Sequence, residues 1–114
     1  MGCGCHPDIV ARVWDEIGAA LPQDSRGFVE RRPALIHRGS GIIIALAMGT
    51  QYCLRLPRAT IDEAVASGAK RATTWSDKTK MDVQSAFGND WVSGAWLKQE
   101  LGWTRQVYDE YSAA

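Results

Sequence analysis

The clearest patterning along the chain is an apolar run followed by an alternating one. Ile42-Ile43-Ile44-Ala45-Leu46-Ala47-Met48 has no polar member, Gly49-Thr50 breaks it, and Gln51-Tyr52-Cys53-Leu54-Arg55-Leu56 then alternates up to Pro57. The short length, the flanking glycines and the β-branched start favour a strand over a buried helix. Such a strand is covered on both faces. In the second run Tyr52, Leu54 and Leu56 point one way, while Gln51, Cys53 and Arg55 point the other. The two runs read as a hairpin at the centre of the fold.

Upstream, Val10, Val13, Trp14, Ile17 and Leu21 recur at helical spacing, with Arg12, Asp15 and Glu16 off the stripe. Pro7 suits a first helical turn, Asp8 complements the positive end of the helix dipole, and Pro22 prevents continuation. Pro22 to Gly27 is rich in turn residues. Phe28 to Arg32 is a candidate strand that Pro33 would end or confine to an edge, and Ala34 to His37 is a second extended piece. Arg38-Gly39-Ser40-Gly41 then reads as a turn into the apolar strand.

Downstream, Thr60-Ile61-Asp62-Glu63 has capping-box spacing, which predicts a helix from Thr60 to about Ser67 with Gly68 as its stop. Ala69 to Lys80 is polar and basic, as in a loop or a poorly packed edge. Phe87 to Trp91 holds a strong turn, and Trp91 to Leu97 fits a strand or a helix start equally well. Trp103, Val107 and Tyr111, joined by Tyr108, form the stripe of a closing helix. The expected architecture is α+β: a flexible segment over residues 1–6, then a single domain over 7–114. That domain has an N-terminal helix, a central antiparallel sheet of three to five strands, and helices packed on one face.

Composition adds limits. A chain of 114 residues is one domain, and it buries enough surface to fold without staples. Thirteen basic and thirteen acidic residues cancel, so no global field draws it to nucleic acid or to an anionic membrane. Arg31-Arg32, His37-Arg38, Lys70-Arg71 and Lys78 with Lys80 would make a phosphate-binding patch if they met on one face. Without interleaved aromatics they offer bases no stacking platform. The longest apolar segment falls far short of the ~20 residues that span a bilayer. No basic region followed by an apolar stretch opens the chain, and three cysteines cannot all pair, so a reducing cytoplasm is expected. Full cover for Ile42 to Met48 in so small a domain suggests a second copy, hence a homodimer.

Candidate chemistry is sparse. Cys3-Gly4-Cys5-His6 joins two thiols and an imidazole on a flexible stretch, which suits copper(I) or zinc, although three ligands do not close a structural zinc site. Met1-Gly2-Cys3 resembles the start of dually acylated proteins, with His6 where that motif takes serine or threonine. Cys53 in a strand reads as a small buried hydrophobe. His37, a lone histidine beside a turn, reads as surface. Asp109 and Glu110 are neighbours on a helix and point apart. No phosphate loop, nucleophile elbow or cofactor signature occurs.

Five tryptophans are many for this length. Trp91, Trp96 and Trp103 near Tyr52 are the candidates for a ligand pocket or a partner interface. The order helix, strand, strand, Tyr52-Cys53-Leu54-Arg55-Leu56-Pro57, helix, Asp90-Trp91-Val92, and a closing helix through Asp109-Glu110-Tyr111 resembles the small bacterial YjbR-like and TfoX N-terminal-like domains. That resemblance implies an α+β fold and, for some members, a regulatory or DNA-linked role. It carries no catalytic residues. The preferred reading is a cytoplasmic binding or regulatory module. Alternatives are a metal-handling protein using Cys3, Cys5 and His6, and a small enzyme whose site only the fold assembles.

Overall fold

The computed structural model describes residues 5–71 and 90–113. Among the described residues an N-terminal helix, a six-stranded antiparallel sheet and two further helices make an α+β fold. The first helix begins as α1, Pro7–Ala11, continues through a π-helical stretch, Arg12–Ile17, and ends in a 3-10 turn, Gly18–Ala20. His6 caps it, its Nδ1 accepting the Asp8 N–H at 3.1 Å. The buried positions Ile9, Val13, Ile17 and Leu21 are spaced by four. In an α-helix that spacing drifts about 40° per step, because 3.6 residues make a turn. The wider π turn offsets the drift and keeps all four on the sheet.

Strands β1 (Arg26–Val29), β2 (Arg32–His37), β3 (Ile42–Met48), β4 (Gln51–Arg55), β5 (Lys70–Arg71) and β6 (Trp91–Ser93) lie in the order β1-β2-β3-β4-β6-β5. The sheet therefore exceeds the expected three to five strands. The additional strand is the two-residue β5, too short to show alternation, while β6 resolves the start of the Trp91 to Leu97 stretch as a strand. The central hairpin forms as the sequence implies, with Met48 opposite Gln51 across Gly49 at φ 67.

The apolar run contains a bulge. Leu35 faces Ala45 and Ile36 faces Ile43, which leaves Ile44 with no opposite residue. The extra residue rephases the alternation. Ile42, Ile44, Ala45 and Ala47 join the cluster under the helices, and Ile43, Leu46 and Met48 join a cluster on the other face. Residues Ile44 to Met48 are all buried within the single chain. Ile42 and Ile43 are partly buried.

The first hairpin differs from expectation. Its turn is Glu30-Arg31, between the paired Val29 and Arg32, and both residues have positive φ, 50 and 69. A two-residue hairpin loop with two positive φ angles normally carries Asn-Gly, so nothing in Glu-Arg announced it. Pro33 sits opposite Phe28, next to the turn-closing pair and so at a position where no ladder hydrogen bond is made across to β1. It is tolerated inside the second strand for that reason. Both sheet edges are blunted. Along β1, Arg38 donates to Arg26 O at 2.8 Å and to Asp24 O, in the turn just before the strand, at 2.7 Å, and β5 consists of Lys70 and Arg71.

Helix α2, Ile61–Ala66, stops before Gly68 at φ 116. Its capping box is not made. Thr60 is itself helical, ends a 3-10 turn, and its hydroxyl donates back to Pro57 O at 2.8 Å. Helix α3, Gln99–Ala113, begins a full turn before the expected Trp103. Trp103, Tyr108 and Tyr111 pack against the helix-side cluster from it.

Candidate functional site

Four separate pieces of chain converge on one buried centre: Arg12 from the π-helical stretch, Tyr52 from β4, the segment Gly94 to Leu97 after β6, and Glu100 from the first turn of α3. Arg12 is 5% exposed, Tyr52 0% and Glu100 1%. A charge taken out of water is tolerated only when paired and fully hydrogen-bonded. Here it is. The Arg12 Nη2 donates to Glu100 Oε1 at 2.8 Å and to Leu97 O at 2.7 Å, and Nη1 donates to Glu16 Oε1 at 2.8 Å. The Tyr52 hydroxyl donates to Glu100 Oε1 at 2.5 Å and accepts from Arg12 Nε at 3.3 Å.

The same centre anchors the loop. The Ala95 N–H donates to Glu100 Oε2 at 2.8 Å, and the Trp96 N–H donates to the Tyr52 hydroxyl at 2.8 Å. Gly94 lies flat against the Tyr52 ring, where an added Cβ would fall 1.9 Å from a ring carbon. Only glycine allows this approach, although its φ is not positive. Trp96 is held at φ 60, in the left-handed region, with its side chain half-exposed at 50%. Its ring stands edge-on to Tyr52 at 5.5 Å, and the Arg12 guanidinium lies 5.3 Å from its centroid.

The electrostatics follow from this packing. Burial pulls the Arg12 guanidinium down, but hydrogen bonds to Glu100, Tyr52 and Glu16 more than reverse it, so Arg12 is held above its ordinary range. Burial, then the hydrogen bond and charge of Glu100, push the Tyr52 phenol well above its ordinary value. A phenol so placed is neither a base nor a nucleophile at neutral pH. Cys53, next along β4 on the other face, is 0% exposed and free, and burial alone pushes its thiol up.

His37 is buried at 6%, not on the surface. The end of α3 covers it, with Tyr108 at 4.6 Å centroid to centroid. Its Nε2 lies 2.9 Å from Ser112 Oγ, the separation of a serine–histidine pair. Its Nδ1, however, accepts the Ser40 N–H at 3.1 Å, which places the ring hydrogen on Nε2. That nitrogen donates to Ser112 and is not free to take its proton. The pair fastens the helix end.

Of the residues expected to form a pocket, the fold joins Tyr52 to Trp96. Trp91, opposite Arg55 on β6, belongs to the cluster on the other sheet face, and Trp103 packs from α3 on the helix side. Of the metal trio, Cys3 lies outside the described residues, Cys5 is disulfide-bonded, and His6 Nδ1 is taken by the Asp8 N–H. Among the described residues no group of three His, Cys, Asp or Glu side chains is placed to hold a metal ion. Several of the basic residues are paired locally, Arg32 with Glu30 and Arg71 with Asp62, while Lys78 and Lys80 lie outside the described residues. No described helix is long and apolar enough to cross a membrane.

Arg12 and Glu100 were not singled out in the sequence. Arg12 is 40 residues from Tyr52, 85 from Leu97 and 88 from Glu100, so no local pattern joins them. The one available signal was Gly94 inside a strand-like stretch, which marks close backbone approach. No family model, no curated protein and no solved structure matches this chain.

Proposed function

We propose that the protein is a binding or regulatory module whose contact surface is centred on Trp96. The supporting observation is the conformation of that residue. A half-exposed indole sits at φ 60, its backbone N–H tied to a buried phenol and its ring against a buried guanidinium. Holding a non-glycine residue there costs on the order of 1–3 kcal/mol. An aromatic side chain fixed in advance loses little entropy on binding, which is why tryptophan is enriched among residues that dominate interfaces. The chemistry around it supports contact over catalysis, since the phenol and the guanidinium are committed to internal partners.

The test compares proteins that co-purify with the wild type, with Trp96→Ala and with Trp103→Phe, each verified as folded by circular dichroism. The expected result is a partner retained by Trp103→Phe and lost by Trp96→Ala. A partner bound equally by Trp96→Ala sinks the proposal.

A further inference from the structure

The hydrogen bonds of the segment Gly94 to Leu97 run to Tyr52, Arg12 and Glu100, and Ala95 also packs against the helix-side cluster. The Gly94 N–H donates to Tyr52 O at 2.8 Å, the Ala95 N–H to Glu100, the Trp96 N–H to the Tyr52 hydroxyl, and Leu97 O accepts from Arg12. The segment lies outside helix and strand, tied at its ends by the Gly94 bond to β4 and by the Glu100 N–H donating to Leu97 O at 3.2 Å, and it carries a residue in a strained backbone region. The phenolic hydrogen donated by Tyr52 to Glu100 joins the two acceptors of the loop amides, and Arg12 donates to both of them. Disruption of this shared centre frees the Ala95 and Trp96 anchors together.

We infer that Gly94 to Leu97 is a two-state latch on the Arg12–Tyr52–Glu100 centre, with Trp96 as its handle. Closed, as seen here, it fixes the indole over Arg12. Open, it swings out as a unit while β6 and α3 keep their places, and the indole leaves both Arg12 and Tyr52. The inference rests on the reading of Trp96 as the contact residue only for its purpose, namely that a partner would select one state of the indole. The latch itself depends on the hydrogen bonds. Local opening below the cost of global unfolding is ordinary for segments with few buried apolar contacts.

Amide hydrogen exchange by NMR on the wild-type protein tests the latch without any partner. The Ala95 and Trp96 amides should exchange with one common protection factor, lower than that of Leu54 in β4 and of Val107 in α3. Tyr52→Phe, which keeps the ring and removes the hydroxyl, should speed both amides by on the order of tenfold to a hundredfold relative to Val107. Glu100→Gln should speed them in parallel. Ala95 and Trp96 amides as protected as Leu54 in the wild type would overturn the latch, since the segment would then open only with the whole domain. Unequal exchange of the two amides would overturn it equally, whatever Trp96 binds.

Discussion

Tyr52 and Cys53 are neighbours on one strand, both with no exposure, and both have their ionisation pushed up. They differ in what surrounds them. Cys53 lies among Ala34, Leu46, Met48 and Trp91, where nothing but burial acts on it. Tyr52 lies against a carboxylate and a guanidinium, and its hydroxyl makes three hydrogen bonds. On the first face the side chain fills space, and a substitution of similar volume should be tolerated. On the second it holds a geometry, and a polar atom removed leaves its partners stranded in the interior.

The largest expected effect is on that second face. Glu100→Ala leaves the Arg12 guanidinium buried beside an empty site and should cost about 3–5 kcal/mol in urea unfolding. The triple variant Arg12→Met, Tyr52→Phe, Glu100→Leu removes every charge from the centre and should recover most of that loss. It should still free the Trp96 amide to exchange. A triple variant as unstable as Glu100→Ala would mean that the apolar packing, not the stranded charge, sets the cost.

Gly94→Ala should follow, at roughly 3 kcal/mol, because the new methyl collides with the Tyr52 ring and one of the two must move. Crystallography or NMR of this variant should show the ring or the loop displaced, and an unchanged stability would refute the close packing. Tyr52→Phe should cost about 2 kcal/mol. Cys53→Ala, which leaves only a small void, should cost about 1 kcal/mol.

The same two residues give a pH test. Both are acids whose protonated form is favoured in the folded chain, so the unfolded chain releases its protons first. Their contribution to stability is complete below the unfolded values, 9.0 for the thiol and 10.0 for the phenol, and falls as pH rises beyond them. Urea midpoints should therefore decline above about pH 9. Cys53→Ala should remove the earlier part of the decline and Tyr52→Phe the later part. A decline unchanged in both variants would assign it elsewhere.

The smallest expected effect is a gain. Replacing Glu30-Arg31 by Asn-Gly relieves two positive φ angles in the β1–β2 turn and should raise stability by about 1 kcal/mol without moving Trp96 fluorescence.

Local pattern carried much of the fold into view. The run Ile42 to Met48, the alternation from Gln51 to Leu56 and the stop at Gly68 are recoverable from spacing, and so is the stripe of Val13, Ile17 and Leu21, although Ile9 takes the buried place expected for Val10. The central hairpin, its two-sided burial and the division of β4 between faces follow from them. Where the structure departs, the cause is a feature without a local signature. The bulge at Ile44 hides in a run that is apolar on both sides, the Glu30-Arg31 turn lacks its usual residues, and β5 is too short to alternate.

The site is the reverse case. Trp96 and Tyr52 drew notice by residue type alone. Arg12 reads as a solvated charge on the polar side of a helix, and Glu100 stands ahead of the expected closing helix with no pattern to single it out. What makes them a centre is a contact across 88 residues, formed only when the sheet brings the first helix and α3 side by side. Hydrophobic period is written into the order of residues and acts over one turn or one pleat. The pairing of buried charges depends on which distant surfaces meet, and only the assembled fold decides that.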